Sequence, residues 1–111
     1  MKVFLNVVFS LIFVFMLTMT IRTSLHMSLF EAWPSYAANP WAMATLYDAY
    51  AGFLTFFVWV AYKENAVWKR LVWLILLLGL GNIATSLYVL IQLGKLKPDE
   101  QASAILWKKP I

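Results

Sequence analysis

The 111-residue chain contains no cysteine and only one histidine, His26. Without cysteine there are no disulfides, thiolate metal sites or thiol nucleophiles, and a lone histidine leaves few ways to build a metal site. The chain also lacks the short motifs of serine hydrolases, zinc proteases, P-loop proteins and dinucleotide-binding enzymes. The sequence therefore predicts no metal, no cofactor and no catalytic residue, and His26 is interpreted as part of an amphipathic surface.

Charged residues are also scarce, because they make up 13% of the chain whereas hydrophobic residues make up 63%. Soluble domains average about 25% charged residues, and they need polar side chains to cover their surface. The net charge of +4 does not indicate nucleic-acid binding, because the Lys and Arg residues mostly flank apolar runs. The composition instead predicts an integral membrane protein whose first partner is the lipid bilayer.

Three apolar runs reach the length of about 20 residues that an α-helix needs to cross a bilayer. We predict an all-α fold of three antiparallel transmembrane helices at about residues 3–22, 40–63 and 67–93, which form a single domain over residues 1–111. An Asn-Pro pair at the start of the second run is a favourable helix start. A cleaved signal peptide is the alternative for the first run, but no small-residue cleavage site follows it.

The segments outside the three runs are short and more polar. Residues 23–39 are predicted to lie along the membrane interface, where Ser28 and Glu31 have the spacing of a capping box. Pro34 is predicted to end any helix just before itself. The polar tail, residues 94–111, is predicted to form one short helix.

The distribution of Lys and Arg hardly favours either orientation in the membrane if the chain crosses it three times. The N-terminus and the second loop then share one face, and the first loop and the tail share the other. These faces carry four and five Lys or Arg residues, which is almost a tie under the positive-inside rule. We predict a cytoplasmic N-terminus because Lys63, Lys69 and Arg70 crowd the short second loop, where Glu64 is interpreted as a solvated turn residue.

Asp48 is the polar residue that most needs an explanation, because a carboxylate near the middle of a span costs about 2.5–3.5 kcal/mol. Counting helical rise from the N-terminal face places Thr18, Asp48 and Asn82 in one layer about 22 Å deep, with Arg22 close above it. Further small polar residues share the faces of Asp48 and Asn82. The candidate intramembrane polar site consists of Asp48, Asn82, Thr18, Arg22, Thr45, Thr85 and Ser86.

The candidate polar site has two interpretations. In the first it is structural: Asp48 either lies near enough to the far interface to be partly hydrated, or is neutralised by Arg22 and hydrogen-bonded to Asn82, which holds the three helices in register. In the second it is a small cavity that binds the head group of a ligand or passes a proton. The sequence favours the structural interpretation without excluding the functional one.

The stretch PWAMATLYDAYAGFLTFFVWVAYKE and the later GNIATSLYVLIQLGKLKP resemble an uncharacterised family of small membrane proteins from bacteria and plants. The residues that carry the resemblance are Pro40, Trp41, Thr45, Asp48, Tyr50, Trp59, Tyr62, Lys63, Glu64, Gly81, Thr85 and Tyr88. No activity comes with the resemblance. It implies that the whole three-span unit is the module and that Asp48 and the Tyr-Lys-Glu run belong to its pattern.

Three functions are left open by these observations. The leading hypothesis is a non-enzymatic accessory or scaffolding subunit, or a small lipid-binding bundle, which associates with itself or with a larger membrane protein because three helices make a thin core. The second is a small transporter or proton-coupled component that uses Asp48 within an oligomer. The third and weakest is a membrane enzyme acting on a lipid or isoprenoid, with Asp48 or Glu64 as the general acid.

Overall fold

The computed structural model describes residues 1–107, and over that range the chain is all-α with no strand. It contains five α-helices and a short 3₁₀-helix. The helices are α1 Lys2–His26, α2 Leu29–Ala37, α3 Pro40–Lys63, α4 Val67–Leu80 and α5 Asn82–Gly94, and the 3₁₀-helix is Ala102–Leu106. Two of them, α1 and α3, are long and apolar enough to cross a membrane. The predicted helical class and the first two long helices are therefore confirmed.

The predicted starts of α2 and α3 are confirmed by side-chain caps. The Asn39 side-chain oxygen accepts hydrogen bonds from the backbone N–H groups of Trp41 and Ala42, at 3.0 and 3.2 Å. The Ser28 hydroxyl accepts one from the Glu31 N–H at 3.1 Å. These bonds satisfy backbone donors that the first turn of a helix leaves without a partner.

The prediction that Pro34 ends the helix before it is wrong, because Pro34 lies inside α2. A proline in a helix removes one backbone donor, which here leaves the carbonyl of Phe30 without its usual partner. Phe30 is 90% exposed, so its surroundings are open. The helix continues past the proline because the Ala38 N–H donates to the Pro34 carbonyl oxygen at 3.3 Å.

The third apolar run is two helices rather than one, because the chain breaks at Gly81. Its backbone angles are φ 59° and ψ −124°, a conformation that is open to glycine and strained for other residues. Gly81 ends α4 and immediately precedes α5. The position of this glycine therefore decides where the helix stops.

After Gly81 the chain reverses direction, so that α4 and α5 form a helical hairpin. The rings of Trp73 and Tyr88 lie 4.8 Å apart between centroids, whereas in one straight helix these residues would be separated by about 22 Å. Leu77 and Ala84 share one buried cluster, and Lys69 and Gln92 line one cleft. The prediction of a single spanning helix over 67–93 is wrong, since each arm of the hairpin rises only about 20 Å.

Helix α1 packs against α5, its antiparallel neighbour. Leu5 and Phe9 lie against a buried cluster that contains Val89 and Leu93. At the end of this contact the Lys2 ammonium donates to the carbonyl oxygen of Lys97 at 2.9 Å. The N-terminus and the beginning of the tail therefore lie on the same face, and the prediction that they lie on opposite faces is wrong because it assumed that the third run continues across.

The tail contains a short 3₁₀-helix, Ala102–Leu106, which packs back against the other helices. Ile105 is buried against α5. The Lys63 ammonium donates to the Ile105 carbonyl oxygen, and the Trp59 indole N–H donates to the Leu106 carbonyl oxygen at 3.3 Å. The remainder of the predicted tail helix, beyond residue 107, lies outside the described residues.

Candidate functional site

The corner at Gly81 is fastened by a polar side chain from α3, because the end of α4 leaves backbone carbonyl oxygens without a partner in the helix. The Tyr50 hydroxyl of α3 donates to the Leu78 carbonyl oxygen at 2.9 Å. Irregular backbone within a membrane is tolerated where neighbouring groups satisfy it in this way. Phe53 closes the corner, since an added Cβ on Gly81 would lie 2.8 Å from its Cζ atom.

A cleft of about 590 Å³ opens between α1, α3 and α5, directly beside this corner. Its lining contains three polar side chains and a larger apolar group. The lining residues are Phe9, Asp48, Ala49, Gly52, Phe53, Phe56, Asn82, Thr85 and Val89. Gly52 leaves open space on the side of the cleft that α3 forms, since a Cβ added at this position would meet no atom within 4 Å. The cleft is therefore a largely apolar groove with a polar end at the tip of the hairpin.

Asp48, Asn82 and Thr85 form the polar end of the cleft. The Thr85 hydroxyl contacts the side-chain oxygen of Asn82 at 3.3 Å and its backbone carbonyl oxygen at 3.1 Å. No side chain within residues 1–107 pairs with the Asp48 carboxylate, which is exposed. The pairing of Asp48 with Arg22 and Asn82, which is one of the two forms of the structural interpretation, is absent from this part of the chain, and the exposed carboxylate is open to a group that enters the cleft.

The other predicted site residues lie elsewhere. Thr18 and Arg22 are exposed on α1 and do not line the cleft. The Thr45 hydroxyl donates within its own helix, to the Trp41 carbonyl oxygen at 2.9 Å. Ser86 is buried, and its hydroxyl bonds within its own helix, to the carbonyl oxygens of Asn82 and Ile83 at 2.7 and 3.1 Å, so a ligand in the cleft does not meet it.

Sequence reasoning missed the apolar wall of the cleft, which includes Phe9 and Phe56. Apolar residues in an apolar run do not stand out, so only the direction in which each helix packs identifies them. Asp48 and Asn82 were found because polar residues at membrane depth are rare. Asp48 and Asn82 lie at similar depths because α4 rises from Val67 to Gly81, next to Asn82, before the chain reverses. The count of helical rise from Val67 in the sequence made the same assumption.

A second polar contact joins Glu64 to Tyr88, and it corrects the interpretation of Glu64 as a solvated turn residue. Glu64 is 8% exposed, and its Oε1 atom accepts a hydrogen bond from the Tyr88 hydroxyl at 3.1 Å. Tyr88 is fully buried, with its ring edge-to-face against Phe56, Trp59 and Trp73. The contact therefore ties the end of α3 to the middle of α5.

The hairpin also redistributes the charges of the chain. Seven of the nine Lys and Arg residues lie in the described range, and only Arg22 is at the α1–α2 end. The other six lie near the end of the molecule where Lys2 meets Lys97. We call this end the basic face, and its cations are Lys2, Lys63, Lys69, Arg70, Lys95 and Lys97.

The model of a known protein family, DUF1475, matches residues 1–107. The chain belongs to the DUF1475 family. The family is described as proteins of unknown function, and the match covers nearly the whole chain, as the resemblance implied. No curated protein and no solved structure matches this DUF1475 protein.

Seven of the twelve residues that carry the family resemblance fall on three parts of the DUF1475 structure: the corner, the tail and the cleft. Gly81, Tyr50 and Tyr88 make the corner and close the hairpin, and Trp59 and Lys63 hold the tail. Asp48 and Thr85 lie in the cleft instead. The residues of the resemblance therefore include ones that form the hairpin as well as ones at the polar end of the cleft.

Proposed function

We propose that this DUF1475 protein is a multi-pass membrane protein with two spanning helices, α1 and α3, and a hairpin that enters and leaves through the basic face. The support is the exposure of α1, since none of its 25 residues is buried although most of them are apolar. A soluble protein rarely leaves so long an apolar surface open to water. Lipid around α1 and α3 removes that cost, while α4 and α5 supply an arm too short to cross alone.

The basic face lies on the cytoplasmic side in this proposal. Three continuous spans divide the Lys and Arg residues almost equally, whereas the hairpin gathers six of the seven described cations on one face and leaves Arg22 on the other. Cytoplasmic segments next to spans carry the excess of Lys and Arg. The charge pattern therefore favours one orientation once the path of the chain is known.

Reporter fusions test this topology. We expect a reporter fused before Met1 and one fused after Ile111 both to report the cytoplasm, because the hairpin returns the chain to its starting face. A third reporter inserted at Ala38, between α2 and α3, serves as the control and should report the opposite side. Fusions at the two ends that report opposite sides would show a continuous third span and contradict the proposal.

The function that the geometry supports best is non-enzymatic binding of a lipid-like molecule in the cleft. The observation that carries it is the Asp48 carboxylate, which is exposed at the depth of the hairpin tip without a side-chain partner in the described part of the chain. A bare carboxylate at membrane depth costs about 2.5–3.5 kcal/mol. A ligand whose head group donates hydrogen bonds to Asp48 offsets this cost, and its apolar body fits the aromatic wall of the cleft.

The chemistry of the cleft restricts this ligand. A carboxylate only accepts hydrogen bonds, and the Asn82 side chain both donates and accepts. The head group is therefore an amine or an alcohol, and a phosphate is disfavoured by repulsion from Asp48. The apolar part lies against Phe9, Phe56 and Val89, and a volume of about 590 Å³ accommodates part of one chain or a compact isoprenoid.

Replacing Asp48 with Asn tests the ligand. We expect the variant to fold and express normally, because no side chain of the described residues pairs with the carboxylate. The amount of co-purifying amphiphile should fall at least about tenfold. Lipid extraction of the purified protein followed by mass spectrometry measures the loss. Thr55→Val is the matched control, since Thr55 lies on the same helix, is exposed and bonds only to the Ala51 carbonyl oxygen. Equal amphiphile content in wild type and Asp48→Asn would refute ligand binding at this carboxylate.

A proton-coupled transporter is the second candidate, and the same unpaired carboxylate favours it. The two candidates differ in what the Asp48→Asn variant loses, since a transporter loses proton flux across proteoliposomes while its lipid content stays unchanged. Both candidates keep the expectation that the protein associates with a second copy or a larger membrane protein. The long exposed surface of α1 supports that expectation.

A further inference from the structure

The cleft beside the hairpin tip has its polar and apolar parts at different depths in the membrane. With a helical rise of about 1.5 Å per residue, Asp48 and Asn82 lie about 22 Å from the basic face. Phe9, Phe56 and Val89 line the same cleft, and the same count places them only about 9–12 Å from that face. The cleft therefore descends by about 10–13 Å from its polar end to its apolar end.

This order of depths decides which way an amphiphile lies in the cleft. Its head group is at the polar end, and its chain points towards the basic face. In a hydrocarbon core of about 30 Å, the polar end lies about 8 Å from the opposite surface, whereas a head group that entered from the basic face would cross about 22 Å of hydrocarbon. Lipids of the leaflet opposite the basic face already have this orientation, because their head groups lie at that surface and their chains point inwards.

The hairpin leaves the cleft open towards that leaflet. Its two arms meet at Gly81, so only α1 and α3 continue through the remaining 8 Å or so of the core. Helix α1 packs mainly against α5 and not against α3, and Thr18 on α1 and Tyr47 on α3 are exposed at this level. No residue of α2 lines the cleft. The two long helices therefore flank a lateral opening at the polar end.

The charge of the cleft selects the head group. Asp48 is the one charged residue among the described residues that line it, and Arg22 is not one of them. A primary ammonium group neutralises the carboxylate, and its three N–H donors suit the two carboxylate oxygens and the side-chain oxygen of Asn82. Hydrogen bonds between charged groups are stronger than those to a neutral hydroxyl, and an alcohol would leave the cleft negatively charged.

From these observations we propose that the cleft takes a single-chain primary amine from the leaflet opposite the basic face, which is the non-cytoplasmic leaflet in the topology above. The amine enters sideways between α1 and α3, its ammonium group pairs with Asp48, and its chain descends past Gly52 to Phe9 and Phe56. This placement rests on the ligand proposed above for the cleft, and it adds the charge, the leaflet and the direction of that ligand.

Photo-crosslinking of the full chain in nanodiscs of phosphatidylcholine tests the direction. The probe is decylamine with a diazirine on its last carbon, and labelling that is lost in Asp48→Asn measures the bound probe. We expect this labelling around Phe9 and Phe56 when the peptides are analysed by mass spectrometry. Labelling near Thr18 or Tyr47 instead would show the opposite direction and overturn the assignment of the leaflet.

A variant of the cleft wall tests the path of the chain. Gly52→Leu fills the space one turn below Asp48, where an added Cβ meets no atom within 4 Å, so it should remove most of the labelling around Phe56 while the protein stays folded. Gly79→Leu is the matched control, because Gly79 has equally open surroundings but does not line the cleft. Unchanged labelling in Gly52→Leu, or an equal loss in Gly79→Leu, would overturn the path.

The matching diazirine derivative of decanol tests the charge. It should label the same peptides at least about tenfold less than the amine, because the charge-assisted hydrogen bonds are lost, and equal labelling by both probes would overturn the choice of an amine. Loss of the co-purifying amphiphile in Asp48→Asn together with labelling near Thr18 would keep the cleft ligand and refute only its direction. Unchanged amphiphile and unchanged labelling in Asp48→Asn would refute the ligand itself.

Discussion

Replacing Gly81 with Ala should remove most of the folded protein. The backbone angles at Gly81 cost a residue with a side chain about 1–3 kcal/mol, and a Cβ would lie 2.8 Å from the Cζ atom of Phe53. Overpacking of that kind adds about 1–3 kcal/mol. A combined loss of about 2–6 kcal/mol is comparable with the entire stability of many small proteins. Size-exclusion chromatography in detergent, before and after heating, measures the surviving folded fraction.

Gly79→Ala is the matched control, because Gly79 lies two residues earlier in the same apolar run. A Cβ at Gly79 meets nothing within 4 Å, and alanine favours a helix over glycine by about 1 kcal/mol. This variant should therefore be as stable as wild type or more stable. If both substitutions were equally harmless, the corner would not exist and the third run would be one continuous helix.

Tyr88→Ala should be the most damaging substitution of a side chain, because Tyr88 is fully buried at the centre of the aromatic cluster. Removing its ring leaves Phe56, Trp59 and Trp73 around a cavity, at a cost of about 3–5 kcal/mol. Tyr88→Phe keeps the ring and removes only the donor to Glu64, so it should cost about 1.5–3 kcal/mol. Thermal denaturation in detergent, followed by tryptophan fluorescence, measures both losses.

A double-mutant cycle with Glu64→Gln separates the hydrogen bond from the packing. The amide oxygen of Gln still accepts from the Tyr88 hydroxyl, so Glu64→Gln should be milder than Tyr88→Phe, and the two effects should be non-additive. Tyr47, which is 66% exposed, provides the control substitutions to Phe and Ala, and both should leave the denaturation midpoint nearly unchanged. Additive effects of Glu64→Gln and Tyr88→Phe would show that the two side chains do not interact.

The sequence predicted local structure well where short-range rules decide it. Asn39 and Ser28 cap their helices because an oxygen at that spacing reaches free N–H groups regardless of the rest of the fold. The first two long helices were predicted because length and apolar composition suffice to identify them. Pro34 was mispredicted because one lost hydrogen bond on an exposed helix is outweighed by the bonds on either side of it.

These short-range rules do not predict the break in the third run. Its apolar composition is that of a spanning helix, and a glycine within such a run is commonly a site of close helix packing rather than a break. Tertiary contacts decide where the chain reverses. Phe53 and Tyr50 on α3 contact the corner, and Glu64 accepts a hydrogen bond from the Tyr88 hydroxyl. Phe53, Tyr50 and Glu64 lie outside the third run, so the hydropathy of the run gives no information about them.

The candidate site was predicted in part for the same reason. Asp48 and Asn82 stand out by chemistry and by depth, and both line the cleft. Thr18 and Arg22 were placed with them by depth alone, but depth does not tell which way a helix turns its side chains. Because α1 meets the rest of the molecule mainly through its first half, around Leu5 and Phe9, the layer of Thr18 stays apart from the cleft.

The pairing of α1 with α5 has a consequence for how the protein is made. Helix α1 leaves the ribosome well before α5, against which it mainly packs, and Lys2 bonds to a carbonyl 95 residues further along the chain. At about 5–20 residues per second, α1 waits roughly 3–11 s after its own synthesis before α5 emerges. In the proposed membrane topology, lipid or the insertion machinery holds α1 during that interval. A chain that is interrupted before Asn82 would leave α1 without its main contact, which makes such truncated products natural targets for membrane quality control.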